Sequence, residues 1–299
     1  MQSRAPEYGG SSELPPISNP QTLAAIAGER ALSAAPSAAP AASPTQALMV
    51  PRLPGTPDLN ADGLYVFSGG GIELSVEPHS GSIVQLSLEG KDALVASEPK
   101  PDNYSAELEG STLVLKNAGA GLTKRIRLDT ARRSLELTYT VVNTSSSPLH
   151  ASAADFQRVP STGGLTFFPG TPKLLPGSTL KLNVGPPIVW FTHDQARDPQ
   201  AVEGSVDSSE GWVASVNDGL VLVKVVSDAA RPLVSIACAY DAATKQRPWV
   251  EIGTRSSFDL AVGTGATANV RLFLRKLPPS VPAKSGNQLL VGFVRGIIQ

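Results

Sequence analysis

The stretch "RSLELTYTVVNTSSSPLHASAADFQRV", Arg133 to Val159, carries the clearest architectural signal in the chain. Leu135, Leu137, Tyr139 and Val141 alternate with Glu136, Thr138 and Thr140, the period of a strand with one face buried. The alternation halts at Asn143-Thr144-Ser145-Ser146-Ser147-Pro148, a run of turn formers. Small residues follow, and then Asp155, Phe156, Gln157 and Arg158 arrive together. A polar, charged and aromatic group of four at the entry of a new strand is either an ordinary strand end or a sheet presenting a binding surface.

The same period runs from about Leu59 to about Leu277. Ile72, Leu74 and Val76 show it, as do Leu122, Ile126 and Leu128, then Phe258, Leu260 and Val262, then Ala268, Val270, Leu272 and Leu274. The 27 Gly and 26 Pro punctuate these runs, with turns such as "SGGG", "PHSGS", "NAGAG" and "STGG" recurring at a spacing that suits many short antiparallel strands. Asp218-Gly219, between "GWVASV" and "LVLVKVV", predicts a two-residue hairpin. "LVLVKVV" is apolar on both faces except at Lys224, so it reads as a central strand. Lys224 is expected to snorkel to the rim, the alternative being a polar cavity. No amphipathic helix of useful length interrupts the region. The fold class is therefore all-β, a large antiparallel sandwich.

Three segments result. Residues 1–58 are Ala/Pro/Ser-rich and predicted disordered, because they cannot bury enough apolar area to offset their ordering entropy. Residues 59–277 form the sandwich. Residues 278–299 are a linker and a tail, "LLVGFVRGIIQ", expected to add a strand or to dock. The N-terminal stretch has no apolar core of a signal peptide, yet its composition resembles the tethers of exported proteins. A periplasmic or extracellular location is therefore favoured over a cytoplasmic one, with any signal removed or lying upstream.

Composition excludes several partners. Lys plus Arg is 25 and Asp plus Glu is 26, so general attraction to nucleic acid or an anionic membrane surface is not expected. No apolar run reaches the roughly 18 to 20 residues of a membrane span. The single cysteine, Cys238, has no disulfide partner and reads as a small apolar residue within a strand. There is no phosphate loop, no G-x-S-x-G elbow and no H-E-x-x-H motif, and His79, His150 and His193 sit in separate turns. No cofactor and no metal are implied.

Three clusters remain. Asp155, Phe156, Gln157 and Arg158 form the first. Trp190, Phe191, His193, Asp194 and Arg197 form the second, in a predicted loop. Trp249 and Glu251 in a strand, flanked by Arg247 and Arg255, form the third. Planar aromatics beside carboxylates, amides and guanidinium groups suit sugars, whose C–H faces stack on rings and whose hydroxyls need donors and acceptors. The opposing reading makes the tryptophans core residues and the charges surface ion pairs.

At "LELTYTVVNTSSSPLHASAADFQRV" the chain resembles the galactose-mutarotase-like superfamily, through Tyr139, Val141, Asn143, Ser145 and Pro148. "WVEIGTRSSFDLAVGTGATANVRLFL" resembles that superfamily's terminal hairpin, and "RVPSTGGLTFFPG" narrows the likeness to an uncharacterised bacterial branch. The resemblance implies an antiparallel super-sandwich with a carbohydrate site on its concave face. It also implies Glu251 where a catalytic glutamate falls. The histidine expected after the turn is absent, its stretch being Asp155 to Arg158, while His193 lies where a second histidine could fall. The leading expectation is a carbohydrate-binding protein contacting sugar through Arg158, Trp249, Trp190 and Gln157. The enzyme alternative is an aldose epimerase or lyase-like activity with Glu251 as base and His193 or Asp155 as its partner. A third reading is a structural or assembly module tethered by the N-terminal segment.

Overall fold

In the computed structural model, which describes residues 54–95, 103–173, 182–185, 187–193, 202–227, 233–238 and 249–299, the alternation in the sequence becomes two antiparallel sheets. Expectations for residues 1–53, and for Asp194, Arg197 and Arg247, lie outside the described residues.

The first sheet runs in chain order through β1 (Asp58–Leu59), β2 (Tyr65–Gly69), β3 (Ile72–Glu77), β4 (Ser82–Leu88) and β5 (Lys91–Asp92). The second holds β6 (Ser105–Glu109), β7 (Thr112–Asn117), β8 (Leu122–Asp129), β9 (Ser134–Val142), β10 (Leu149–Pro160), β11 (Leu165–Lys173), β12 (Asn183–Gly185) and β13 (Ile188–Thr192). It continues with β14 (Val202–Ser208), β15 (Trp212–Asn217), β16 (Leu220–Ser227), β17 (Leu233–Cys238), β18 (Trp249–Leu260) and β19 (Gly265–Lys276). Its path is β10-β18-β17-β14-β11-β15-β16-β19-β9-β8-β7-β6, with the β12–β13 hairpin attached to β11.

Local chemistry explains the turns. The β15–β16 hairpin closes with Asn217 opposite Leu220, and the two loop residues, Asp218 and Gly219, have φ of 45° and 74°. Those values suit the mirror-image turn whose twist matches a hairpin, and Asp-Gly tolerates them. Asn143 makes the corner after β9. Its Nδ2 donates to the carbonyls of Ser147 and Leu260 at 2.9 and 3.1 Å, and its Oδ1 accepts from the backbone N–H and hydroxyl of Ser145. One buried side chain thereby joins the corner to the end of β18.

Burial follows the parity of each strand. One core gathers Phe67, Leu74 and Leu86 from the first sheet with Leu115, Leu137, Leu222 and Ile252 from the second. The other gathers Phe167, Trp190, Trp212, Val221 and Val223 against α1 (Gln288–Ile298). Alternate residues of β16 enter the two cores, so this strand is buried on both sides, as its apolar run implied.

Of the two expectations for the tail, docking holds and the added strand does not. "LLVGFVRGIIQ" lies in a helix, not a strand, and docks through Leu290, Val291 and Val294. Asn287 caps it, its Oδ1 accepting from the N–H of Leu289 at 3.1 Å. A short apolar run does not distinguish strand from helix by periodicity alone, and the uncovered face of the sheet selects the helix.

Candidate functional site

Asp155, Phe156, Gln157 and Arg158 are consecutive residues of one strand, so they cannot share a face. Asp155 and Gln157 are buried, while Phe156 is 41% exposed and Arg158 is partly exposed. The register with β18 sets Asp155 opposite Thr254, Phe156 opposite Gly253, Gln157 opposite Ile252, Arg158 opposite Glu251, and Pro160 opposite Trp249. Glu251 and Trp249 therefore stand with Arg158 and Phe156 on the outer face. The residues named from the sequence on these two strands divide into two groups, back to back.

The inner group is a polar cluster within the core. The Asp155 carboxylate meets the Lys224 ammonium at 2.7 Å and accepts from the Tyr139 hydroxyl at 2.5 Å and the Gln157 amide at 2.8 Å. Lys224 Nζ also donates to Gln157 Oε1 at 2.6 Å and to the Asp155 carbonyl. Lys124 lies over the Tyr139 ring, 5.4 Å from its centroid, and donates to the Gly81 carbonyl at 2.7 Å. Lys224 has no solvent exposure, so the expectation that it snorkels to the rim is corrected. β16 is central and covered on both sides, which leaves a four-carbon side chain no rim to reach, and acceptors on β10 take its ammonium instead.

Charge in this cluster is set by the balance of burial and pairing. Burial alone would push the Asp155 carboxyl up, but the ammonium groups of Lys224 and Lys124 and the bond from Tyr139 more than offset it. The carboxyl stays well below the usual carboxylate range. Burial pulls both lysines down from the ordinary lysine value, opposed by Asp155. Burial drives the Tyr139 phenol well up, and Asp155 reinforces it. Asp155 is an ionised acceptor and Tyr139 a neutral donor, so neither is poised to exchange protons near neutral pH.

His193 and Trp190 stand apart from both groups. Ile188–Thr192 is strand β13 rather than the predicted loop; its pairing with β11 carries Trp190 inward, and His193, just past its end, donates its backbone N–H to the Gly164 carbonyl at 2.8 Å. Trp190 is 1% exposed and stacks on Phe167 with centroids 4.8 Å apart, so it offers no ring face to a ligand. The His193 ring occupies space over Gly164, where a Cβ would lie 2.1 Å from Nδ1. The Pro160 carbonyl, which can only accept, takes the Nδ1 proton at 3.1 Å, leaving Nε2 to accept from the Thr166 hydroxyl at 2.8 Å. Burial pushes this imidazole down to about 4, against the opposing bond to Pro160.

The outer group is built differently. Arg158 Nε donates to Glu251 Oε2 at 3.3 Å, and the guanidinium carbon sits 4.1 Å from the Trp249 ring centroid. Arg158 thus covers a face of Trp249 while holding Glu251. Phe156 folds across Gly253, where its ring occupies the space a Cβ would take. A cleft of about 250 Å³ opens elsewhere, bordered by Glu136, Thr138, Ser227, Asn269 and Arg271. Its polar groups largely satisfy one another: Arg127 and Arg271 hold Glu136, and Thr138 donates to Asn269 at 2.9 Å.

Lys124, Tyr139 and Thr166 were not expected as partners, whereas Lys224 has the polar surroundings that its alternative allowed. A lysine inside a valine run was the available signal. Among the described residues, no three of His, Cys, Asp and Glu gather in a metal-binding group, and no helix is long and apolar enough to cross a membrane.

No family model matches the chain, and no curated protein matches it. Solved structures do. A protein from Escherichia coli K12 named as a candidate aldose 1-epimerase aligns with a TM-score of 0.54 and 11% identity, over 72% of this chain and 99% of its own. A galactose mutarotase related enzyme from Lactobacillus acidophilus aligns at 0.51 and 10%, over 72% of this chain and 98% of its own. A TPR-domain containing protein from Parabacteroides distasonis aligns at 0.53 and 12%, over 74% of this chain and 49% of its own. The fold is galactose-mutarotase-like.

Two consequences of the buried groups are measurable. Lys224→Met leaves the Asp155 carboxylate without its nearest cation and is expected to cost about 3–5 kcal/mol in urea denaturation at pH 7. Adding Asp155→Asn to that variant should recover part of the loss. For His193, the folded value of about 4 lies below the unfolded value of ~6.5. Between them the unfolded chain takes up a proton that the folded chain refuses. Stability should therefore be full above pH ~6.5 and fall by about 3 kcal/mol as pH drops toward the folded value. His193→Gln should flatten that part of the curve, read as urea midpoints across pH.

Proposed function

We propose that the outer face of β10 and β18 binds carbohydrate and that the protein is a sugar-binding module rather than an epimerase. The observation that carries the reading is the register that brings Arg158 beside Glu251 and Phe156 beside Gly253 on one accessible surface. Arg158 and Glu251 are 28% and 23% exposed, so each is held in place yet open to solvent. Together they supply a fork of donors and a pair of acceptors, the two kinds of group that sugar hydroxyls pair with. Phe156 supplies an apolar ring beside them, a role the sequence reading had given to tryptophan.

The epimerase reading has the fold and Glu251 in its favour. Opening and reclosing a pyranose needs a base and an acid that flank one ring. Arg158, the ionisable side chain paired with Glu251, is a permanent cation and cannot serve as the acid. Asp155 is on the other face of the strand and remains ionised, and His193 is buried with both nitrogens engaged. Binding needs none of these proton transfers.

Calorimetric titration guided by a glycan array tests the reading. A saccharide is expected to bind at millimolar concentration or below, and Arg158→Ala should weaken it by about tenfold or more, as for a lost charge-assisted hydrogen bond. Mutarotation followed by polarimetry should proceed at the uncatalysed rate. Absence of any saccharide ligand at millimolar concentration would refute the proposal, and catalysed mutarotation abolished by Glu251→Gln would replace it with the epimerase reading.

A further inference from the structure

The same face continues past Glu251. Along β18 the outward residues are Trp249, Glu251, Gly253 and Arg255, and opposite them on β10 stand Pro160, Arg158, Phe156 and Ala154. Charges along this row are unequal. Glu251 is matched by Arg158 at 3.3 Å, whereas Arg255 is exposed and has no carboxylate partner among the described residues. Phe156 lies between these two levels, and its 41% exposure places a large apolar ring at the surface in mid-strand. The ring can fold across the strand because residue 253 is glycine: a Cβ there would lie 2.1 and 2.2 Å from Cδ1 and Cε1.

Spacing adds a constraint. At ~3.3 Å per residue, Arg255 stands ~7 Å beyond the level of Phe156 and ~13 Å beyond Glu251. That span is longer than one pyranose ring. It presents in order the Arg158–Glu251 pair, an apolar ring and a guanidinium with no carboxylate partner among the described residues. The planar fork of such a guanidinium matches a carboxylate in two parallel hydrogen bonds.

We infer that this face takes an acidic oligosaccharide, a chain of uronic-acid units. One ring packs on Phe156, its hydroxyls meet Arg158 and Glu251, and the carboxylate of the next unit is held by Arg255. The inference rests on the carbohydrate reading above and names its substrate class. Glu251 restricts where that carboxylate can lie, because an unpaired anion beside it would be repelled, so the Arg255 end is the acidic end.

Titration with trimers of galacturonate and of mannuronate, each beside its methyl ester, tests this, because acid and ester differ in charge and little in shape. At least one acid trimer should bind about tenfold more tightly than its ester at low salt, as for a single charge-assisted contact. Added salt should shrink the difference. Arg255→Gln should lower the acid's affinity to that of the ester. Phe156→Ala, and Gly253→Ala, which sets a methyl group where the ring lies, should weaken acid and ester alike. Equal affinity for acid and ester, or an unchanged preference for acid in Arg255→Gln, overturns the acidic assignment while the carbohydrate reading stands on neutral ligands. Failure of acidic, esterified and neutral saccharides alike overturns both.

Discussion

An ammonium group with no solvent exposure, set in a run of valines and leucines, must find acceptors in another layer. Lys224 finds them 69 and 67 residues earlier, in the Asp155 carbonyl and carboxylate and in the Gln157 amide oxygen. Removing those charges from water costs several kcal/mol per ion, recovered only when every donor and acceptor is met. Tyr139 and Gln157 supply the remaining bonds, so the cluster is tolerable where an isolated ion pair would not be. Its consequence is geometric. β16 and β10 belong to facing parts of the fold, and a one-residue slip of β10 would bring Phe156 or Ala154 to the place where the ammonium needs oxygen.

That constraint orders the opposite face of β10. With Asp155 and Gln157 held inward, the pleat leaves Phe156 and Arg158 outward, and the pairing with β18 adds Glu251 and Trp249 to them. The Asp155 carboxylate, offered from the sequence as a partner of Glu251 in proton transfer, is committed to the core. Likeness to solved structures at 11% identity gives the fold and leaves function to the side chains the scaffold presents. The outer surface keeps a paired guanidinium and carboxylate beside an open ring.

Much of the fold was legible because it is written in local chemistry. Period-two alternation located the strands, Asp218-Gly219 located a hairpin through its backbone preferences, and the apolar run of β16 declared a strand covered on both sides. The candidate site was legible in composition but not in arrangement. Asp155 to Arg158 were recognisable as unusual strand residues, yet adjacency in the chain means opposition across a sheet. Trp190 and His193 looked like loop residues, yet pairing of β13 with β11 turns Trp190 inward and His193 is buried just past that strand. The tail "LLVGFVRGIIQ" read as a strand or a docking segment because helix and strand are degenerate over so short a run, and Gly292 and Gly296 weaken its helical signal.

The sequence by itself determined that the chain forms many short antiparallel strands, where several turns fall, and which residue types are available for recognition. Those properties depend on neighbours within a few positions. Tertiary structure alone decided which face of β10 meets the core, that Lys224 is buried against Asp155, and that Arg158 stands beside Glu251, 93 residues away. Periodicity divides a strand into two faces but does not say which one is inside. That choice is made by long-range pairing, where burying a charge without its partner costs more than any local preference can return.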